Sequence, residues 1–149
     1  MKSSVLIEFP ASLFTDFLKI KVIKITIHPG IGKATANYFA QRNWNVIATT
    51  RSPGKEMELT ELDNVLVTRL DVKDKDSIQE SLVKGMKRFE KIDVLLNNAG
   101  HGARGIFEAA TDERIRKLFE VNVFGVMHVT KAILPHFRRN NGGTIMNMS

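Results

Sequence analysis

From about residue 20 onward, short apolar runs alternate with longer stretches in which apolar side chains recur every three to four positions. The short runs are rich in β-branched residues and predict strands at 20–27, 44–50, 65–70, 92–97 and 144–148. Helical spacing predicts a helix over 31–43, with Ala34, Thr35, Tyr38 and Phe39 in phase, and another over 75–90, with Ile78, Leu82, Met86 and Phe89 on one face. A turn at Pro53-Gly54 leaves room for a short helix over 55–62. Thr111 is placed to cap a long helix over 111–138, with Asp112 and Glu113 suited to its positive end. In that helix Ile115, Leu118, Phe119, Asn122, Val126, Val129, Ile133 and Phe137 are expected to face inward, and Pro135 to distort the last turns. Gly142-Gly143 then separate it from the fifth strand.

Apolar strands alternating with helices read as right-handed βαβ units, and so as a parallel sheet covered on both faces. Ligands of such sheets bind beyond the carboxyl ends of the strands. Residues 1–19 carry no clear pattern and read as an N-terminal extension to one domain over 20–149.

Composition narrows the class. A chain of 149 residues without cysteine has neither disulfides nor thiolate metal sites, and fits a reducing compartment such as the cytoplasm. The net charge of +6 collects near 84–91, 114–117 and 138–139. These positions read as solvated helix faces, and no basic stripe interleaved with aromatics points to nucleic acid. No stretch is apolar enough to cross a membrane, and His28, His101, His128 and His136 lack metal-ligand spacing.

Five short segments carry candidate chemistry. Gly30-Ile31-Gly32 stands between a strand and a helix, where exposed N–H groups and a helix N-terminus can cradle a phosphate; a plain tight turn explains a glycine pair equally well. Arg51-Ser52 and Asp71-Val72 follow the second and third strands. Asn97-Asn98-Ala99-Gly100 closes the fourth, where small amides can hold a loop open by bonding neighbouring backbone. Asn122 interrupts an apolar helix and needs partners if it is buried.

In this order and spacing the segments resemble the short-chain dehydrogenase/reductase family, over about Gly30 to Ser149. The resemblance implies a Rossmann-type, doubly wound α/β sheet of order 3-2-1-4-5, incomplete on its C-terminal side. It implies nicotinamide dinucleotide binding by Gly30, Ile31 and Gly32 at the pyrophosphate, Asp71 and Val72 near the adenine, and Asn98, Ala99 and Gly100 beside the ribose. At the second strand's end a carboxylate selects NAD(H), whereas an arginine accepts the 2′-phosphate of NADP(H). Arg51 with Ser52 therefore favours NADP(H). Asn122 matches the asparagine of the family's Asn-Ser-Tyr-Lys catalytic set, and is the only member found. Ser149 aligns one residue before the catalytic serine, and Tyr38, followed by Arg42, does not make the Tyr-x-x-x-Lys motif.

The glycine turn departs from the family's pattern. Thr26-Ile27-His28-Pro29-Gly30 lacks the first glycine and is one residue short. Placing Ile27 at positive φ would cost about 1–2 kcal/mol, and Pro29 removes an N–H donor, so dinucleotide binding is expected to be weak. The implied activity is hydride transfer between an NADP(H) nicotinamide and an alcohol or carbonyl carbon. This chain is expected to be an incomplete, catalytically impaired member. The alternatives are a non-catalytic dinucleotide-binding module, or a partner that forms homo- or hetero-oligomers with a full-length relative through the helix over 111–138.

Overall fold

A computed structural model describes residues 21–27 and 30–148. The 1–19 extension, His28, Pro29 and Ser149 lie outside the described residues. The elements in order are β1 (Val22–Thr26), α1 (Ile31–Ala40), β2 (Asn45–Thr50), β3 (Val65–Arg69), α2 (Lys75–Phe89), β4 (Val94–Asn97), α3 (Asp112–Phe119), α4 (Val126–Arg139) and β5 (Thr144–Asn147). All strand pairs are parallel, in the order β3-β2-β1-β4-β5, which is the expected topology. Chain order reverses between β1 and β4, so the crevice over their carboxyl ends is the switch point.

Alternation along each strand builds two cores. Val22, Ile47, Leu70 and Leu95 pack with Ile78 and Leu82 of α2 and Val129, Ile133 and Phe137 of α4. Ile23, Ile25, Val46, Ala48 and Leu96 pack with Ala36 and Ala40 of α1 and with Leu59. The buried face of α1 is thus Gly32, Ala36 and Ala40, whereas Ala34 and Tyr38 point outward. Of the residues expected in phase, Phe39 does pack against this core, while close approach to the sheet gives the fully buried positions to the smallest side chains. Tyr38 is instead exposed, with the Arg42 guanidinium 3.5 Å over its ring.

Lys24 occupies the middle of β1 and is fully buried. It shares Val22's side of the strand, since Ile23 and Ile25 belong to the other core. Its Nζ has no hydrogen-bond partner among the described residues, and burial lowers its pKa from 10.5 to about 7. Ser81 Oγ of α2, also buried, is likewise unpartnered.

The connections follow local chemistry. Asp74 caps α2 by accepting the Asp76 and Ser77 N–H groups, both at 3.1 Å. Those bonds, led by Ser77, and the Arg69 guanidinium hold its carboxyl below the usual range. In place of a helix over 55–62 there are two 3-10 turns, Pro53–Lys55 and Leu59–Glu61. Thr111 caps α3 as expected, its Oγ1 accepting the Arg114 N–H at 3.3 Å. α4 runs through Pro135 to Arg139 without a break. Near its end the buried His136 accepts the Ile92 N–H at its Nε2, 2.9 Å away, tying the helix to the start of β4. Burial, mainly, holds the His136 pKa down, which keeps that nitrogen an acceptor.

The long helix expected over 111–138 is interrupted. Glu120–Gly125 forms a π-helical segment between α3 and α4. Gly125 lies against the Val72 side chain, where a Cβ would come within 2.6 Å of Val72 Cγ2. The extra residue shifts the phase, so Phe119 and Asn122 are exposed rather than inward, while Val129, Ile133 and Phe137 are buried as expected. Among the described residues no helix is long and apolar enough to cross a membrane.

Candidate functional site

The carboxyl ends of β1 to β4 open into a cleft of about 440 Å³. Its floor is made by Thr26 and Ile27 after β1, Thr50 and Arg51 after β2, Leu70 to Lys73 after β3, and Asn98 to His101 after β4. Lys117, Glu120 and Val121, from the end of α3 and the π segment, form the far wall. A side pocket of about 240 Å³ continues past Thr50 and Arg51 to Ser52, Lys55, Glu56 and Lys33. Of the residues singled out in the sequence, Arg51, Asp71, Val72, Asn98, Ala99 and Gly100 line the main cleft and Ser52 the side pocket.

The glycine turn is built differently from the expectation. Ile27 continues β1: its N–H donates to the Thr49 carbonyl at 2.7 Å and its side chain is buried. Among the non-glycine residues described, only Asn43, Glu90 and Asn141 have positive φ, so the strain expected at Ile27 does not arise. Positive φ falls on Gly30 instead, at 117°, where it caps α1 without a side-chain bond. A Cβ on Gly30 would meet no atom of the described residues within 4 Å, so they leave the helix end sterically open. Gly32 is closed in. A Cβ there would run into Asn98 Nδ2 and lie 2.7 Å from the Thr26 carbonyl oxygen. Gly30, Ile31 and Gly32 lie outside the lining of both pockets, at the start of the helix that follows β1.

The Asn97-Asn98 pair links three strands. Asn98 donates to the Thr26 carbonyl at 3.0 Å, joining the ends of β4 and β1 across the switch point. Asn97, buried, donates to Asn147 Oδ1 of β5 at 2.9 Å and to Thr130 Oγ1 of α4 at 3.3 Å. Asp71 Oδ1 accepts the Lys73 N–H at 3.0 Å, which shapes the turn after β3. Arg51 makes no hydrogen bond or ion pair to any described residue, and the segment after β2, Arg51-Ser52-Pro53, holds no carboxylate.

Asn122 is turned toward the loop after β4. Its Nδ2 donates to the His101 carbonyl at 2.9 Å and its Oδ1 accepts the His101 N–H at 3.1 Å. The π segment is what presents this amide to the loop. Asn122 itself does not line the cleft; it holds His101, which does. Asn122→Ala is expected to speed amide exchange at His101 about tenfold, from the loss of one to two hydrogen bonds of about 1 kcal/mol each. An unchanged exchange rate would show that the loop is held by other contacts.

Reading the sequence missed Lys33, Lys55, Lys73, His101 and Lys117, all of which line one of the two pockets. Lys73 and His101 had a usable signal, since each stands just past a strand end. Lys33 and Lys117 had none, because their positions depend on how α1 and α3 pack.

A parallel sheet wound on both faces, with a glycine turn after its first strand and a cleft across its switch point, defines a Rossmann-type nucleotide-binding fold. The family model described as short chain dehydrogenase matches residues 21–149, which takes in β1 as well as the stretch from Gly30. YusZ of Bacillus subtilis, an uncharacterized oxidoreductase, is 44% identical over 115 residues, covering 72% of this chain and 41% of YusZ. A short-chain dehydrogenase from Streptomyces avermitilis superposes with a TM-score of 0.81 at 34% identity, covering 88% of this chain and 49% of that one. ElxO with NADP bound gives 0.79 at 30% identity, covering 89% and 56%. The chain belongs to the short-chain dehydrogenase/reductase family, a family of oxidoreductases that bind nicotinamide dinucleotides. It spans about half the length of the curated relatives it matches.

Proposed function

We propose that this chain binds NADP(H) in the cleft as the cofactor-binding part of an oxidoreductase that moves hydride between nicotinamide and an alcohol or carbonyl carbon. The observation that carries the reading is Arg51: a cleft-lining guanidinium with no partner among the described residues, in a segment after β2, Arg51-Ser52-Pro53, that holds no carboxylate. A 2′-phosphate there satisfies the arginine and Ser52 together. Gly30, Ile31 and Gly32 offer backbone N–H groups at the open end of α1 to the pyrophosphate. Asp71 and Val72 border the adenine, and Asn98, Ala99 and Gly100 form the low wall along the ribose. When bound, the cofactor would donate the hydride in its reduced form or accept it in its oxidised form.

Protonating the substrate oxygen takes a positioned acid, worth about 10²–10⁴ in rate. Asn122 reaches that chemistry only by holding the His101 loop. The one tyrosine, Tyr38, lies under Arg42 on α1 and lines neither pocket. These 149 residues by themselves are therefore expected to bind cofactor without turnover. The absence of cysteine fits a reducing, cytoplasmic setting.

Titration with NADPH and NADH, followed by nicotinamide fluorescence, tests the reading. NADPH is expected to bind at least tenfold more tightly than NADH, and Arg51→Ala to shrink the difference about tenfold or more, an Arg–phosphate contact being worth about 1.5–3 kcal/mol. Equal affinities in the parent protein would refute the NADP(H) preference.

A second reading concerns partners. Phe119, Val123, Phe124 and Met127 are exposed along α3, the π segment and α4. This apolar strip favours packing against another copy or a full-length relative. Sedimentation should then show a dimer that Phe124→Lys disperses; a monomer at all concentrations counts against self-association.

A further inference from the structure

The side pocket contains a cation that the sequence pattern did not suggest. Lys33 stands in the first turn of α1, where the helix's positive end disfavours a positive charge. It is held there by two carboxylates, with Nζ 3.0 Å from Glu56 Oε1 and 2.8 Å from Glu58 Oε2. The hydrogen bonds to Glu58 and then Glu56 raise its pKa, so it is charged throughout the neutral range. The carboxylates differ in how they are anchored. Glu56 is largely buried at 13% exposure, and its Oε1 also accepts the Leu59 N–H at 3.2 Å. Glu58 is 62% exposed, and its remaining tie is Oε1 to Asn37 Nδ2 at 2.9 Å. Lys33 and Glu56 line the side pocket together with Arg51, Ser52 and Lys55, whereas Glu58 does not.

We propose that Lys33 is a second specificity-determining cation, which joins Arg51 on the ribose phosphate of the dinucleotide, and that Glu58 sets how freely it does so. This rests on the NADP(H) reading above. With two carboxylates on one ammonium the cluster is net negative, so a phosphate entering the pocket competes for Lys33. The exposed, solvent-screened Glu58 is the partner that yields. Glu56 is fixed by the Leu59 N–H and stays, and without Lys33 its charge would face the phosphate directly. Lys33 therefore both attracts the phosphate and masks a repulsive carboxylate. Neither effect reaches a ribose with a plain 2′-hydroxyl, so NADH should be indifferent to both.

The test titrates NADPH and NADH into the full chain and into Lys33→Gln, Glu58→Gln and Arg51→Ala. All three sites are on the surface, and circular dichroism melts check that each variant is folded. Lys33→Gln is expected to weaken NADPH roughly tenfold while leaving NADH within about twofold, and Glu58→Gln to tighten NADPH by roughly threefold. If Arg51→Ala shrinks the preference and Lys33→Gln leaves it intact, the inference about Lys33 is overturned and the NADP(H) reading stands. If Lys33→Gln weakens both nucleotides equally, its role is structural and the inference is likewise overturned. Weaker NADPH binding in Glu58→Gln overturns the part assigned to Glu58. If the parent protein does not prefer NADPH, the NADP(H) reading falls and takes this inference with it.

Discussion

Lys24→Met is expected to stabilise the folded chain by about 5 kcal/mol at or below pH 7. Lys24 is fully buried in the central strand, its Nζ has no hydrogen-bond partner among the described residues, and burial brings its pKa from 10.5 to about 7. Between those two values the unfolded chain holds a proton that the folded chain has lost. Stability therefore rises with pH across that window. Below about pH 7 both states are protonated and the folded state bears the whole cost of a buried charge; above about 10.5 both are neutral and the cost is gone. The Lys24 shift comes from burial alone. Methionine matches the length of the lysine stem and removes the amine. Urea midpoints measured from pH 6 to pH 10 should climb for the parent protein and stay flat for the variant in this respect. Parallel curves would mean that the amine reaches water in solution.

Gly32→Ala is expected to cost the fold about 1–3 kcal/mol and to weaken dinucleotide binding more than tenfold. The added Cβ meets Asn98 Nδ2 and lies 2.7 Å from the Thr26 carbonyl oxygen, the two ends of the hydrogen bond that joins β4 to β1. One of the two partners is backbone of the central strand and cannot move aside. The helix must lift or Asn98 must swing into the cleft, and either displaces the cleft floor. Gly30→Ala is the matched control. Its Cβ meets none of the described residues within 4 Å, and its expected cost is that of the positive φ of 117°, about 1–2 kcal/mol. Denaturant midpoints together with NADPH titration separate the two. If Gly32→Ala binds as the parent does, the Asn98–Thr26 link is not needed for the site.

Much of the cleft was legible in the sequence, because its parts sit at strand ends. Arg51, Asp71, Val72, Asn98, Ala99 and Gly100 each follow a strand that could be read from its apolar run, and parallel strands bring their carboxyl ends to one edge. Residues on helices were harder. Lys33 reaches the side pocket because Glu56 and Glu58, more than twenty positions away, hold it there, and no local pattern records that. Asn122 was visible as a polar residue in an apolar helix, but its direction was not. The π segment turns it outward to His101, and that segment depends on Gly125 meeting Val72 from a different strand end. Ile27 shows the same limit: as a β-branched residue in place of a glycine it suggested strain, yet it extends β1, and Gly30 takes the turn.

The sequence by itself determined the alternation of strands and helices, which follows from short β-branched runs and a period of about 3.6 residues, while the resemblance carried by motifs at strand ends supplied the family and the strand order. The tertiary structure alone decided which side chains face one another across elements. It buried Lys24, chose the small-residue face of α1, broke the long helix at Asn122, and gathered Lys33 with Arg51. The physical reason is that periodicity assigns a residue to a face, whereas packing density decides what that face can hold, and density is a property of contacts between residues distant in sequence.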